Sequence, residues 1–374
     1  MENILEGAMI VLNFQVILIV LASALFGMFL GAMPGLTATM AMALLVPITF
    51  FMDPIPAIAA MVSTAAMAIF AGDIPGAFLR IPGTPSSAAY VDEAYAFSLR
   101  GQASECLGIS LVCSAIGGTI GTLALIFIAP KLAEVALKFS SFEYFWLALL
   151  GLSAAMFISP ESKIKAILSL GIGLILSTVG LDLITGSPRF TFGYTDLMGG
   201  VDFIPAMIGM FAIGEIMRFS SQKESERKIR IKDSGKVFAM VGRTIRKYWL
   251  SIFRGSALGT VIGALPRAGA DIAAWISYAI SRKTSKTPEK FGQGHIEGIV
   301  EASSSNNAGV SGAWIPALVF GIPGDSITAI VIGVLYMKGM DPGPDIFLSG
   351  GSQVYGLFTI FIIANIVMIP VGYL

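Results

Sequence analysis

Gly27-Met-Phe-Leu-Gly31-Ala-Met-Pro34 and Gly259-Thr-Val-Ile-Gly263-Ala-Leu-Pro266 share a GxxxGAxP pattern 232 positions apart. A second pair keeps the same order. Ile74-Pro75 and, five residues further, Ile81-Pro82-Gly83 match Ile315-Pro316 and, five residues further, Ile322-Pro323-Gly324, at an offset of 241. Two matched motifs at nearly equal offsets indicate a duplicated unit, the pattern of membrane folds built from internal repeats. All four motifs lie in apolar stretches, so their prolines and glycines would break helices at membrane depth. Backbone freed in this way survives there only where protein or a water-filled cavity satisfies it.

The composition agrees with a membrane setting. Of 374 residues 55% are hydrophobic and 13% charged, against about 25% charged in ordinary soluble domains. The chain holds 42 glycines and 18 prolines, residues commoner in membrane helices than in soluble ones, and its mean hydropathy is +0.81. Lys+Arg and Asp+Glu both count 24. That balance excludes a nucleic-acid binder, and the hydropathy excludes a disordered chain. Cys106, Cys113 and the single histidine, His295, leave little for a disulfide scaffold or a metal centre. The cysteines, seven residues apart, read as small buried groups on one helix face. No organic cofactor is expected.

Apolar runs of about 20 residues, the length of a span, fall at 14–33, 107–129, 143–160, 164–184, 199–217 and 353–374. Shorter or interrupted runs at 36–51, 56–79, 255–281 and 308–335 are where function is expected. The N-terminus carries Glu2 and Glu6 but no basic residue, so the first run reads as retained rather than as a cleaved signal. The last run reaches Leu374 without a hydrophilic tail, which reads as a fragment truncated at its C-terminus.

Eleven of the 24 basic residues lie between Arg218 and Arg254, which places that loop in the cytoplasm by the positive-inside rule. Arg282, Lys283, Lys286 and Lys290 form a second basic patch. The 255–281 stretch between the patches, broken at Pro266-Arg267-Ala268-Gly269, is therefore predicted to be a hairpin that enters and returns. Around the first GxxxGAxP no basic residue precedes Arg80, so the two halves are predicted to be inverted. The expected organisation is a first membrane repeat with following spans (1–217), a basic cytoplasmic loop (218–254) and a second repeat (255–374). The fold class is an all-α polytopic membrane protein with two inverted repeats and re-entrant or broken helices.

A helix restarting after each break presents free N–H groups and about half a positive charge, a ready site for a carboxylate. Hydroxyls follow the breaks: Thr37 and Thr39 after Pro34-Gly35, Thr84, Ser86 and Ser87 after Pro82-Gly83, and Ser326 and Thr328 after Pro323-Gly324. They can donate to a carboxylate or lend oxygens to a cation. For Gly27 and Gly31, close helix packing is an equally good reading. Arg267 is either the partner of Asp271 or a substrate clamp. Asn306 and Asn307, ending a run of five polar residues from Ser303, either orient ligands or cap the following helix. With Gly269 these complete the candidate substrate site. Asp271, Asp325 and Asn306 are the candidate cation ligands, and Asp73 is a further acid able to hold a cation or a proton. Asp92, Glu93 and 282–295, with His295, read as solvated loop.

The residues resemble the large membrane subunit, TctA, of the tripartite tricarboxylate transporters. The resemblance rests on Gly31-Ala-Met-Pro34-Gly35-Leu-Thr-Ala-Thr-Met, Ala43-Leu-Leu-Val-Pro47-Ile-Thr-Phe, Ile81-Pro-Gly-Thr-Pro-Ser-Ser87, Phe291-Gly-Gln-Gly294 leading to Glu301 and Asn306-Asn307-Ala308, and Gly321-Ile-Pro-Gly324. It covers nearly the whole chain in order. It implies ion-coupled uptake of small di- or tricarboxylates across a bacterial inner membrane. A periplasmic solute-binding protein (TctC-like) would deliver the substrate and a small membrane subunit (TctB-like) would accompany the chain. An elevator-like architecture is implied as well; the single histidine in a loop and the few membrane aspartates favour Na⁺ over H⁺ for coupling. The family pattern has glycine where this chain has Arg267, which favours an extra carboxylate on the substrate, and the family's large subunit is longer.

Two other readings compete. An intramembrane aspartyl protease would use Gly269-Ala270-Asp271 but needs a second facing aspartate, and the first half offers no matched partner. A channel, or a carrier for organic anions that needs no binding protein, is also compatible with repeats and hairpins.

Overall fold

The computed structural model describes residues 2–33, 36–140, 142, 143, 145, 146, 149, 163–181, 187–201, 237–266, 268–349 and 351–374. Pro34, Gly35 and Arg267, most of the runs 143–160 and 199–217, and 218–236 of the basic loop lie outside the described residues.

The described chain is helical apart from a two-residue β-ladder, Gly180–Leu181 with Pro188–Arg189. In the first half α1 is Glu2–Val11, α2 Phe14–Gly31, α3 Ala38–Phe50, α4 Pro54–Ala71, α5 Asp73–Leu79, α6 Val91–Leu99 and α7 Ala103–Ala136; α8, Lys163–Ser177, follows. The second half holds α9 (Val237–Lys247), α10 (Trp249–Gly263), α11 (Gly269–Thr284), α12 (Ile296–Phe320), α13 (Ser326–Met337), α14 (Ile346–Ser349) and α15 (Gly351–Gly372). Among the described residues four helical segments are long and apolar enough to cross a membrane: Phe14–Gly31, Pro54–Leu79, Ala103–Ala136 and Gly351–Gly372. Their outer faces fit that solvent. On α2 the exposed positions Leu18, Leu21, Leu25 and Phe29 recur every three or four residues, opposite buried Val16, Val20, Ala24 and Gly27.

The stretch 255–281 holds two helices that pack on one another, α10 and α11, as the arms of the expected hairpin would. Other expectations are corrected. The interruption comes at Gly72, between α4 and α5, rather than at Ile74-Pro75: Pro75 falls in the first turn of α5, where its missing N–H costs nothing. Asn306 and Asn307 do not cap a helix but lie buried inside α12, which runs on through Pro316 to Phe320. Arg254 belongs to α10 rather than to a solvated loop, and its guanidinium forks onto the buried carboxylate of Glu301 on α12, with Nε to Oε1 at 2.6 Å.

The matched motifs of the two halves have similar local geometry. Gly27 and Gly31 of α2 lie against the carbonyls of Thr64 and Ala68 on α4, so closely that a Cβ on either would collide with backbone. Gly259 and Gly263 of α10 lie in the same way against the carbonyls of Ser305 and Gly309 on α12. Thr64 and Ser305, like Ala68 and Gly309, are 241 positions apart. The helix ends repeat too. Arg80 closes α5 with φ 58° and Gly321 closes α12 with φ 65°. The Arg80 N–H donates to Gly76 and that of Ile81 to Pro75, while Gly321 donates to Ala317 and Ile322 to Pro316. Both are the left-handed double closure of a Schellman turn, 241 positions apart. GxxxG thus serves close packing in both halves, α2 on α4 and α10 on α12.

Replacing Gly259 or Gly31 by valine drives a side chain into backbone that cannot yield, at a cost of at least about 3 kcal/mol. Thermal denaturation of the purified protein in detergent should show a clear fall in midpoint. Gly173→Ala, in open space on α8, should be neutral or stabilising by up to about 1 kcal/mol.

Candidate functional site

Three helix starts meet around one cavity of about 240 Å³. Thr37 caps α3, its hydroxyl accepting from Met40 N at 3.1 Å, and Ala38 and Thr39 present the first turn to the cavity. Asp325 caps α13 through a reciprocal box: Oδ1 accepts from Thr328 N at 2.7 Å, and the Asp325 N–H donates to the Thr328 hydroxyl at 2.9 Å. Ser326 and Ile327 follow on the cavity wall. Helix α11 contributes Ala270 and Asp271. Its first residue, Gly269, has φ 57°, and a Cβ there would lie 2.7 Å from that of Asp325. Glycine is needed at that point for both backbone and space.

The fourth break supplies a loop instead of a helix start. After Pro82, which is exposed, the backbone turns on itself: the Ser87 hydroxyl donates to the Thr84 carbonyl at 2.9 Å and the Thr84 and Ser86 hydroxyls lie 3.0 Å apart. Only a 3₁₀ turn, Ser87–Ala89, follows before α6. Gly83 is pressed against Gly72 and donates to its carbonyl at 3.0 Å, which sets the loop on the α4–α5 junction. Thr84 and Pro85 reach the cavity. Ser86 sits one layer behind, its N–H donating to Asp271 Oδ1 at 3.1 Å. The halves are tied across the cavity by Thr39 and Ser326, whose hydroxyls are 2.8 Å apart, and by the Trp275 indole donating to the Pro85 carbonyl.

The structure therefore gathers Thr37, Thr39, Thr84, Asp271, Asp325 and Ser326 at one place, with Ser86 and Ser87 supporting and Gly83, Gly269 and Gly324 as close backbone contacts. Asn306 and Asn307 are not brought to it. They lie within α12, where Asn307 Nδ2 faces the Ala66 carbonyl at 3.4 Å. The sequence reading passed over Ala38, Ala270 and Ile327, which matter through their position in first turns, and Ile69, an apolar wall residue on α4.

It also misjudged Glu93. Asp92 is exposed and paired with Arg80, but Glu93 is fully buried. Its Oε1 accepts from Gly292 N at 2.6 Å and the Tyr278 hydroxyl at 2.8 Å, and its Oε2 accepts from the N–H groups of Gly294 and His295 at 2.6 Å each. The signal was the Phe291-Gly-Gln-Gly294 motif itself. Positive φ at Gly292 and Gly294 turns successive amides toward one point, a nest that calls for an anion. Phe291 stacks on His295 with ring centroids 4.6 Å apart.

These features define a multi-pass membrane protein with a polar cavity at helix ends, and the family comparison agrees. The chain belongs to the tripartite tricarboxylate transporter TctA family, whose model matches residues 17–374. This is a family of transporter membrane components, not of enzymes, so the protease reading falls away. A protein of Agrobacterium vitis described as "Uncharacterized 52.8 kDa protein in TAR-I ttuC' 3'region" is 34% identical over 345 residues, covering 92% of this chain and 68% of the relative. A second from that organism, "Uncharacterized protein in TAR-II ttuC' 3'region", is 34% identical over 111 residues, 30% of this chain and 46% of its own length. No solved structure matches the chain.

Replacing Glu93 by alanine strips three amides of the 292–295 loop of their acceptor, at about 1 kcal/mol each. Hydrogen exchange at Gly292, Gly294 and His295 should accelerate by about 100-fold or more, while unchanged protection would show that the loop holds itself.

Proposed function

We propose that the protein is the substrate-carrying subunit of a secondary transporter for small di- or tricarboxylates in a bacterial inner membrane. The observation that carries this reading is the convergence of the starts of α3, α11 and α13, with the hydroxyls of Thr37, Thr39, Thr84 and Ser326, on one cavity. Each start offers unpaired N–H groups and a partial positive charge, and hydroxyls add donors that need no counter-ion. A polycarboxylate is matched by several such ends at once. Arg267, beside the α11 start in sequence, would take a further carboxylate.

Asp271 and Asp325 border the same cavity and lie within electrostatic reach of one another. An anionic substrate cannot settle beside two carboxylates without positive charge, so a cation, Na⁺ or H⁺, binds with it. That requirement supplies the coupling: the cation favours the loaded site and the loaded site favours the cation. The duplicated α2–α4 and α10–α12 pairs support two inverted repeats, and movement of the tip-bearing helices as a unit would give alternating access of the elevator type. A periplasmic solute-binding protein delivers substrate and a small membrane subunit completes the carrier, a reading supported by membership of a tripartite family.

Uptake of labelled di- and tricarboxylates should be measured in cells carrying this chain with its small subunit and binding protein. Saturable uptake that requires all three and falls when the Na⁺ gradient is removed is expected. Flux without saturation, or without the binding protein, would instead fit a channel or an independent carrier. Within the working system, Ser326→Ala and Thr39→Ala should each raise the KM about tenfold, the value of one hydrogen bond to a charged ligand. Asp271→Asn should weaken the Na⁺ dependence rather than substrate affinity at saturating Na⁺.

A further inference from the structure

Behind the Thr84 loop, away from the cavity, lies a second polar cluster that the carboxylate site leaves unused. Asp73 opens α5 and is 2% exposed. The Tyr90 hydroxyl spans its two oxygens at 2.8 and 3.0 Å, and the Ser110 hydroxyl of α7 bonds to Oδ2. Tyr90 and Ser110 are themselves no more than 2% exposed. From α12 the Asn306 carboxamide, with no exposure, approaches the Tyr90 hydroxyl, and neither of its polar atoms completes a well-formed hydrogen bond.

Among the described residues no cation pairs with this acid. Arg80 is committed to Asp92 and Arg254 to Glu301, and no described arginine, lysine or histidine bonds to Asp73. Of the other titratable groups on the surrounding elements, Cys106 of α7 lies within electrostatic reach. On α6, Glu93 is spent on the 292–295 amides, and on α12, Glu301 is spent on Arg254. A carboxylate buried without a counter-charge costs several kcal/mol, and Asp73, which has hydroxyl donors but none of the amides that satisfy Glu93, would be relieved by a proton or a metal ion. The oxygens of Asp73, Tyr90 and Ser110 are already at hydrogen-bond distance from one another. A metal ion shared among them would force them apart, whereas a proton fits without movement. Hydroxyls also serve both states, donating to a carboxylate and accepting from a carboxylic acid.

We propose that Asp73, with Tyr90, Ser110 and Asn306, is a proton-binding site of the carrier, distinct from the cation position beside the substrate at Asp271 and Asp325. It rests on the carrier reading above. Binding and release are a simple exchange: the carboxyl takes up H⁺ to become neutral and returns it to become a carboxylate, with no other bond changed. The link to transport is short. Gly72, adjoining Asp73, carries the carbonyl that holds Gly83, and Thr84 packs on it. Tyr90 ends the 3₁₀ turn that closes the same loop. Gain or loss of charge at Asp73 therefore acts on the loop that forms one wall of the cavity.

The test uses the complete carrier in proteoliposomes, with Na⁺ equal on both sides. Wild type should accumulate carboxylate under an inward proton gradient. Asp73→Asn, a neutral copy of the protonated acid, should keep substrate exchange within about twofold and lose gradient-driven accumulation. Asp73→Glu should restore part of it. Absence of exchange in wild type would sink the carrier reading itself. Exchange with undiminished proton-driven accumulation in Asp73→Asn would overturn the proton site alone. A direct readout needs no transport: infrared spectroscopy at neutral pH should show a carboxylic C=O band that Asp73→Asn removes and that Tyr90→Phe and Ser110→Ala each shift in frequency. If Asp73→Asn fails to fold, the two hydroxyl variants decide, and a carboxylic region indifferent to both rejects the assignment.

Discussion

Backbone-to-backbone contact between paired helices is the constraint on which the rest depends. Where Gly27 and Gly31 meet Thr64 and Ala68, and Gly259 and Gly263 meet Ser305 and Gly309, no side chain separates the helices. In a lipid solvent, where burying apolar side chains offers little, such contacts and the dispersion attraction they allow hold helices together. They also fix the height of each helix end. The GxxxG of α2 stops at Gly31 just before the break that leads to α3, and that of α10 stops at Gly263 just before the break that leads to α11. Setting the glycines against α4 and α12 sets the breaks, and the breaks set the helix starts around the cavity.

Much of this was legible in the sequence because it is written in residues with few uses. Glycine and proline at matched offsets have a small set of meanings in an apolar chain, and the hairpin at 255–281 and the gathering of Thr37, Thr39, Thr84, Asp271, Asp325 and Ser326 followed from them. Misreadings came where a motif had two outcomes decided by tertiary context. Ile74-Pro75 looks like the break itself, yet the helix stops at Gly72 and Pro75 sits harmlessly in the first turn of the next one. Five polar residues from Ser303 to Asn307 look like a solvated cap, yet α7 and α10 press on that part of α12 and bury it completely. Small polar residues suit such a place because their hydroxyls bond to helix carbonyls, as Ser114 does to Ser303 and Thr260 to Ser256.

Acidic residues were the hardest to place from sequence, and they separate into different chemical situations. Glu301 meets a guanidinium, Glu93 meets backbone amides, Asp325 caps a helix, and Asp73 meets only hydroxyls. Sequence neighbours do not distinguish these cases, since each partner except that of Asp325 lies more than ten positions away.

The grip of Glu93 on the 292–295 loop has a further consequence. What Glu93 recognises is main chain, and main chain is the same in every residue. The loop is therefore held by its shape, through the positive φ of Gly292 and Gly294, and the exposed side chain of Gln293 between them is free of that duty. Because the acid comes from α6 and the amides from the start of α12, the first half of the chain and the second are clasped at a point where drift in side-chain identity costs little and drift in backbone shape costs a great deal. A drifting sequence could rewrite the face this loop shows to a neighbour while leaving the clasp intact.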